Sequence, residues 1–394
     1  MPILYSSIMY FFLLALAQLV PWYMFPGTAP KDTAKVPQKS PELQEAVVAG
    51  LPAKKDTATF TIRSKEFSLI VPDEINIALA LPLGTGNGID FYCGALLAAR
   101  ELGSEGRRLN IRAVDADRTE LTGELMAWSD IFIGPFAYEG IKKALGCCPE
   151  DRFVISPLEP RTDVLADSLQ IIQTPTRLED QLRDLARWSA DGLSAGESIV
   201  LVLENEADTS SVIKAEFDRM HIPYKLVYGY ASARNVCDKG GTRFITGSSK
   251  EYFVSGLVRT VSVLALEKNV VSVYCPSKVR SYENLNVELL HNANAHIAST
   301  YFVDYSSPSV KQFVYSYRAL FKAEPNSFAF HGYDTVKYFT DLCAIFGREW
   351  YNKITDYSTQ GLQTGFRFES LQTGIVNCAT KRIVYSPDFS ISVQ

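Results

Sequence analysis

Ile75-Asn-Ile-Ala-Leu-Ala-Leu81 opens the stretch that decides the fold. It runs through Gly84-Thr-Gly-Asn-Gly88 into a helix marked by Phe91, Gly94, Ala95, Ala98 and Leu102 at helical spacing. A second apolar run, Leu109-Asn-Ile-Arg-Ala-Val114, ends at Asp115 and Asp117. A short helix over about Glu120–Trp128 and a third run, Asp130-Ile-Phe-Ile-Gly-Pro135, complete the unit. Continuous apolar strands alternating with helical spacing are the pattern of a parallel sheet buried on both faces. Right-handed crossovers put every loop that leaves a strand's C-terminal end on one edge, and ligands bind at that edge. The stretch locates a site before it identifies a function.

Toward the C-terminus the alternation continues. Tyr138–Leu145 reads as helix, Phe153-Val-Ile155 and Leu169-Gln-Ile-Ile-Gln173 as strands, and Thr174-Pro175 breaks the series. A second series opens with Thr176 and Glu179 as a capping box and Leu178, Leu182, Leu185 and Ala186 as an apolar stripe. Its strands are Ser198–Leu203, Tyr224–Tyr230, Arg243–Thr246 and Val270–Tyr274, with helices over about Thr209–Met220 and Glu251–Glu267. The expected architecture is α/β: two doubly wound parallel-sheet lobes with a ligand cleft between them. Beyond them His296–Tyr305 is extended, helices are expected over about Ser309–Phe321 and Tyr333–Phe346, and Gly365–Phe368 with Arg382–Tyr385 reads as a hairpin around Thr373-Gly374.

In the other direction lies a different kind of sequence. Residues 1–30 carry no charged side chain, and Ile8-Met-Tyr-Phe-Phe-Leu-Leu14 precedes Ala15-Leu16-Ala17, the small-x-small pattern of signal-peptide cleavage. An uncleaved anchor over about Ile3–Phe25 is the alternative, and either route takes the protein out of the cytoplasm. Residues 31–73 read as a proline-rich linker, in which Thr57–Val71 is either an edge strand or loose.

Composition narrows the function. Of 394 residues 47% are hydrophobic and 21% charged, and the net charge is −5. No basic stripe serves a nucleic acid. Seven cysteines leave at least one unpaired; Cys147 and Cys148 are adjacent, and no CxxC or HExxH occurs, so no metal is expected. Gly84–Gly88 lacks the Lys-Ser/Thr of a phosphate loop, and Ile89 stands where the dinucleotide fingerprint needs glycine, so no nucleotide cofactor is expected. Asp115 and Asp117 read as a solvated turn. Ser156 and Ser248 follow strands outside any Gly-x-Ser-x-Gly, and no nucleophile–base pair points to an enzyme. Glu159 and Glu204 read as two loop acids more readily than as a catalytic pair. Tyr138, Tyr228, Tyr230, Tyr301, Tyr305 and Tyr333 offer stacking surfaces near strand ends.

The order of these elements resembles a type I periplasmic binding protein of the leucine/isoleucine/valine-binding kind. The residues that carry it are Asn76–Leu83 before the Phe91–Ala98 helix, Ile133-Gly-Pro135, Val154-Ile-Ser156-Pro157, Gly332-Tyr-Asp334 and Phe366–Phe368. It looks most like the branch often fused to peptidoglycan-binding LysM modules. The resemblance implies lobe 1 over about 74–175 completed by 301–365, and lobe 2 over 176–300 completed by 366–394. Hinge crossings then fall near Thr174-Pro175, Tyr301–Tyr305 and Gly365. It further implies a non-catalytic protein of the periplasm or cell envelope. The ligand would be a small molecule or a cell-wall fragment, delivered to a membrane transporter or to sensing. Alternatively the fold would serve an envelope interaction, as activators of cell-wall synthases use it. Ligand contacts are expected from Thr85, Asn87, Phe136, Tyr138, Ser156 and Glu159 in lobe 1 and from Asn205 and Ser248 in lobe 2. Relatives that bind amino acids hold the ligand's carboxylate and ammonium with small and hydroxyl residues after the third and fourth strands. Here Gly134-Pro-Phe-Ala-Tyr138 and Ser156-Pro-Leu-Glu-Pro160 stand there, so tight binding of free α-amino acids is not expected.

Overall fold

A computed structural model describes residues 46–48, 72–160, 169–206 and 211–394. The signal or anchor expected over 1–30 and the strand weighed over Thr57–Val71 lie outside the described residues. Among the described residues no helix is long and apolar enough to cross a membrane.

In chain order the elements are β1 (Ala46–Val48), β2 (Ile75–Leu81), α1 (Gly86–Ser104), β3 (Leu109–Asp115), α2 (Gly123–Trp128), β4 (Ile131–Ile133), α3 (Tyr138–Gly146), β5 (Val154–Ser156) and β6 (Ile171–Gln173). Then come α4 (Leu178–Ala190), β7 (Ser198–Leu203), α5 (Val212–Met220), β8 (Lys225–Tyr228), β9 (Thr242–Ile245), α6 (Glu251–Leu266), β10 (Val271–Pro276), α7 (Val287–Asn292) and β11 (Ala295–Ser299). The chain closes with α8 (Pro308–Phe321), α9 (Ser327–Phe346), β12 (Thr359–Gln360), β13 (Gly365–Phe366), β14 (Phe368–Leu371), β15 (Gly374–Asn377), β16 (Lys381–Tyr385) and β17 (Ile391–Val393).

Two large sheets result. The first has the order β1-β3-β2-β4-β5-β6-β15-β14, the second β17-β16-β11-β10-β9-β7-β8. The strands from β3 to β15 of the first sheet pair in parallel, as do β8, β7, β9 and β10 of the second. Each sheet contains the doubly wound order in which the second strand lies outside the first and the rest continue on its other side. The chain divides into two compact units, one of residues 41–188, 297–384 and 392–394, the other of 189–296 and 385–391.

Strand pleating sorts the first sheet's residues onto two cores. Ile75, Ile77, Leu79 and Leu81 of β2 face a large core built with α1, α8 and α9, while Ala78 and Ala80 face a smaller one with Met126, Phe132 and Ile141. The large core depends on α1 and α9 lying unusually close. A Cβ on Gly94 would fall 1.8 Å from the Ala329 carbonyl oxygen, and one on Gly332 would fall 2.0 Å from that of Phe91. Only glycine allows that approach.

Four expectations need correction. β1 pairs antiparallel with β3 inside the stretch read as linker. α9 begins at Ser327 rather than Tyr333, because the Asn326 side chain accepts from the Phe328 and Ala329 N–H groups and caps it. The C-terminal hairpin forms between β14 and β15 and joins the first sheet through β6, while Arg382–Tyr385 belongs to β16 of the second sheet. Residues 366–394 are thus shared between the two sheets instead of completing the second. Leu178, assigned to the apolar stripe of α4, is 51% exposed, and Leu182, Leu185 and Ala186 alone face inward.

Candidate functional site

In each sheet the site expected of this topology is the switch point, where the chain leaves the first strand on one side and the third on the other. In the unit of residues 41–188 and 297–384 that means the loops after β2 and β4, flanked by the loop after β5. Leu83, Phe136 and Leu158 from these three loops all pack against the large core.

Thr85 caps α1: its Oγ1 accepts from the Gly88 N–H at 3.2 Å and donates to the Pro82 carbonyl at 2.8 Å. Asn87 is exposed on the first turn of the helix. Gly88 is required by space, since a Cβ there would lie 2.2 Å from the Pro82 oxygen. The glycines therefore make a tight turn. Phe136 is half-buried, edge-on to Phe91 at 5.3 Å and stacked at 6.3 Å on Phe328. Tyr138 packs on the other face of the sheet, with the smaller core. Phe136 and Tyr138 are thus separated by the sheet.

Ser156 is fully buried, and its hydroxyl donates to the Glu159 carbonyl at 3.2 Å. Glu159 is itself buried at 9% exposure. Beneath this turn lies a residue that sequence reading passed over, His331 of α9. Its Nε2 is 2.6 Å from the Pro157 carbonyl and its Nδ1 is 3.3 Å from Thr364 Oγ1. Burial lowers its pKa to about 4, so the ring is neutral, donating from Nε2 and accepting at Nδ1. Thr174 Oγ1 donates to the Pro157 carbonyl at 2.8 Å, and the Tyr301 ring meets His331 edge-on at 5.3 Å. One turn further along α9, the buried carboxylate of Asp334 accepts the backbone N–H groups of Leu362, Gln363 and Thr364 at 2.7, 2.8 and 2.8 Å. Burial outweighs those bonds and raises its pKa to about 6. The Asn377 amide donates to the carbonyls of Thr174 and Gly365 at 2.9 and 2.7 Å. α9 and Asn377 thereby gather segments near Thr174, Tyr301 and Thr364.

In the unit of residues 189–296 the equivalent loops follow β7 and β9. Ser248 Oγ donates to Glu204 at 2.6 Å, Lys250 Nζ to the same carboxylate at 2.7 Å, and the Tyr252 hydroxyl at 3.3 Å. Burial would raise the Glu204 carboxyl, but the bonds from Lys250 and Ser248 hold it below the ordinary value. Asn205 is exposed beside it. Glu204 therefore serves as the anchor of its own loop and carries a neutralised charge, which does not suit a general acid or base.

Among the described residues no group of three or more His, Cys, Asp or Glu is placed to hold a metal. All seven cysteines are free thiols. Cys147 and Cys148 sit with their sulfurs against backbone carbonyls, and burial raises both thiols.

No family model matches the chain, and no curated protein sequence does. Solved structures do. A Rhodospirillum rubrum protein assigned as a branched-chain amino acid ABC transporter aligns over 82% of this chain and 99% of its own, at 15% identity and a TM-score of 0.55. The fold is that of the type I periplasmic binding proteins. LpoA from Haemophilus influenzae shares it, with 83% of this chain aligned to 59% of that one at 12% identity and a TM-score of 0.51. Another LpoA structure, of the full-length protein, gives 14% identity and a TM-score of 0.50. At these identities the type I likeness speaks for the fold, and it does not single out the LysM-fused branch.

Proposed function

We propose that this chain is a non-catalytic ligand-binding protein of the periplasm or cell envelope, a solute-capturing component for transport or sensing. The observation that carries the reading is the repeated sheet order, which brings the loops after β2, β4 and β5 to one edge in the first unit and those after β7 and β9 to one edge in the second. The Rhodospirillum rubrum structure supports it through its fold. Thr85, Asn87, Phe136, Ser156 and Glu159, with Asn205 and Ser248, are the proposed contacts; Tyr138 is retained only as a support for its loop.

One observation favours a second reading, an envelope interaction protein that keeps the fold without carrying a solute. Phe136 is packed into the core, and Ser156 and Ser248 spend their hydroxyls on their own loops. A free amino acid would find few donors for its carboxylate, and each unmade buried bond costs about 1–3 kcal/mol. A thermal-shift panel of amino acids and small solutes at about 1 mM separates the two, since a micromolar ligand then stabilises by about 4 kcal/mol. A shift of several degrees with a non-amino-acid solute supports solute capture. No shift with any of them, together with tight binding of a cell-wall fragment or envelope protein, would replace it by the second reading.

A further inference from the structure

Two of the tyrosines expected to offer stacking surfaces, Tyr228 and Tyr230, stand with a third, Tyr252, at the strand-end edge of the unit that contains residues 189–296. Tyr228 closes β8 opposite Leu203, the residue before Glu204. The Gly229 N–H donates to the Leu203 carbonyl at 2.8 Å, and Ser232 Oγ donates to the Tyr228 carbonyl at 2.7 Å. These bonds fix the chain where it turns into a short helix over Tyr230–Asn235, which packs along α6.

Tyr230 has a built seat. A Cβ on Gly256 of α6 would stand 2.8, 2.8 and 2.9 Å from Cε1, Cζ and Cδ1 of its ring. An edge-on approach would spread those distances, so near-equal values over three consecutive atoms put the ring flat on the helix backbone, in space that glycine leaves. Phe253, buried in the same helix, meets the ring edge-on at 6.0 Å. The ring is nevertheless 37% exposed, and the face turned away from Gly256 is the one left to solvent. Tyr252 lies one turn before Gly256 on the same side of α6. It is 66% exposed and edge-on to Phe253 at 6.5 Å. Its hydroxyl is held by Glu204 at 3.3 Å, and Glu204 in turn by Ser248 and Lys250. Aromatic surfaces fixed in this way order little when a ligand arrives, so most of their contact energy appears as affinity.

Flat faces beside polar groups select the ligand. The face of an aromatic ring is its negative pole and attracts weakly positive C–H groups. A pyranose with equatorial hydroxyls presents C–H groups on its two faces and hydroxyls around its rim. The Glu204 carboxylate and the exposed Asn205 amide supply acceptors and donors for such hydroxyls. An aliphatic solute would leave those polar groups unmatched, and an acyclic polyol would leave the ring faces uncovered. The charges around the platform are of both signs, with Glu204, Glu206 and Glu251 against Lys250 and Arg259. Lys250 is paired with Glu204, and Arg259 turns its guanidinium to the Asn284 carbonyl at 2.6 Å. No positive surplus draws an anion, and a neutral ligand fits.

We infer that this edge binds a neutral oligosaccharide of equatorial pyranose units, stacked on the open faces of Tyr230 and Tyr252 with its hydroxyls at Glu204 and Asn205. The inference names a ligand class for the second unit's loops, and it rests on the reading of the chain as a ligand-binding protein. Titration calorimetry of the intact chain with cellotetraose, chitotetraose and D-sorbitol tests it. The two oligosaccharides carry ring faces and hydroxyls, and sorbitol carries hydroxyls alone. At least one oligosaccharide is expected to bind about tenfold or more tighter than sorbitol, and Tyr230→Ala is expected to weaken it about tenfold or more. Tyr230→Phe keeps the ring and should stay within about threefold of wild type. Gly256→Ala changes no group that the sugar would touch but lifts the ring from its seat, and should weaken binding about threefold or more. Circular dichroism verifies that each variant is folded. The inference is overturned if neither oligosaccharide binds up to about 10 mM, if sorbitol binds as well, or if Tyr230→Ala binds unchanged. Self-association of the chain that Tyr252→Ala abolishes, with no sugar binding, would also overturn it and assign the surface to a second copy. A solute of another class that binds equally to wild type and Tyr230→Ala would overturn it while leaving the ligand-binding reading intact.

Discussion

Replacing Asp334 separates two forces that act on it in opposite directions. Its carboxylate accepts three backbone N–H groups from residues 362–364, and burial nevertheless lifts its pKa from 3.8 to about 6. A carboxyl whose folded pKa is raised prefers its neutral form in the fold. It contributes most stability below about pH 3.8, and that contribution is lost as pH rises through about 6. At about 1.4 kcal/mol per pH unit the loss amounts to about 3 kcal/mol. Asp334→Asn removes the charge and keeps an oxygen able to serve Gln363 and Thr364, while its NH2 faces the Leu362 N–H. One bond is lost, about 1–3 kcal/mol, against a penalty of similar size that the wild type bears at neutral pH. The variant should therefore lie within about 2 kcal/mol of wild type at pH 7 and be the weaker of the two at pH 4. Asp334→Ala strands all three N–H groups and should cost about 3–6 kcal/mol at pH 4, and about 3 kcal/mol less at pH 7, where wild type bears the burial penalty. His331 titrates with the opposite sign, losing stability as pH falls from 6.5 toward about 4, so the wild-type curve alone decides nothing. The informative quantity is the wild-type minus Asp334→Asn difference from urea unfolding at pH 4, 5, 6 and 7 (set roughly across the titration). If that difference is flat, or grows in favour of wild type as pH rises, the three N–H groups outweigh burial and the reasoning is wrong.

Other expectations follow from the packing. Gly94→Ala and Gly332→Ala should each cost about 3 kcal/mol or more in thermal unfolding, because α1 and α9 must part to admit a methyl group. Phe136→Ala should lose about 2–4 kcal/mol by emptying the space beside Phe91 and Phe328, without creating affinity for a free amino acid in the thermal-shift assay. Thr85→Ala should cost about 1 kcal/mol as a lost helix cap. If Thr85 also contacts the ligand, the same variant weakens whatever solute the panel identifies, which Thr85→Ser does not.

The opening unit was the most legible part. β2 matches its apolar run, and β3 extends its run by one residue, because a continuous hydrophobic stretch bounded by a glycine turn has few other uses. The hairpin was misassigned because β15 is placed by β6, more than two hundred residues earlier, with Ile172 opposite Ile375, while β16 joins the other sheet beside β11. No local pattern carries that information. The start of α9 was missed because the Asn326 cap was not recognised, and the expected helix began six residues late, at Tyr333. For the site, position at a strand end correctly drew attention to Ser156 and Glu159, but their burial depends on Thr174 and α9. His331 had no signal at all, since its polar partners lie 33 and 174 residues away.

The insertion of β15 beside β6 sets a timetable for the nascent chain. β2 to β6 emerge in the first half of synthesis, yet the edge of their sheet stays unpaired until Gly374–Asn377 is made. α9, whose residues fill the large core against α1, also appears late. At about 5–20 residues per second, the interval between β6 and β15 is about 10–40 seconds. During it, an apolar parallel sheet has an open edge and an uncovered face, the state most prone to aggregation and most accessible to chaperones. A ribosome stalled before residue 374 would hold a sheet that cannot close.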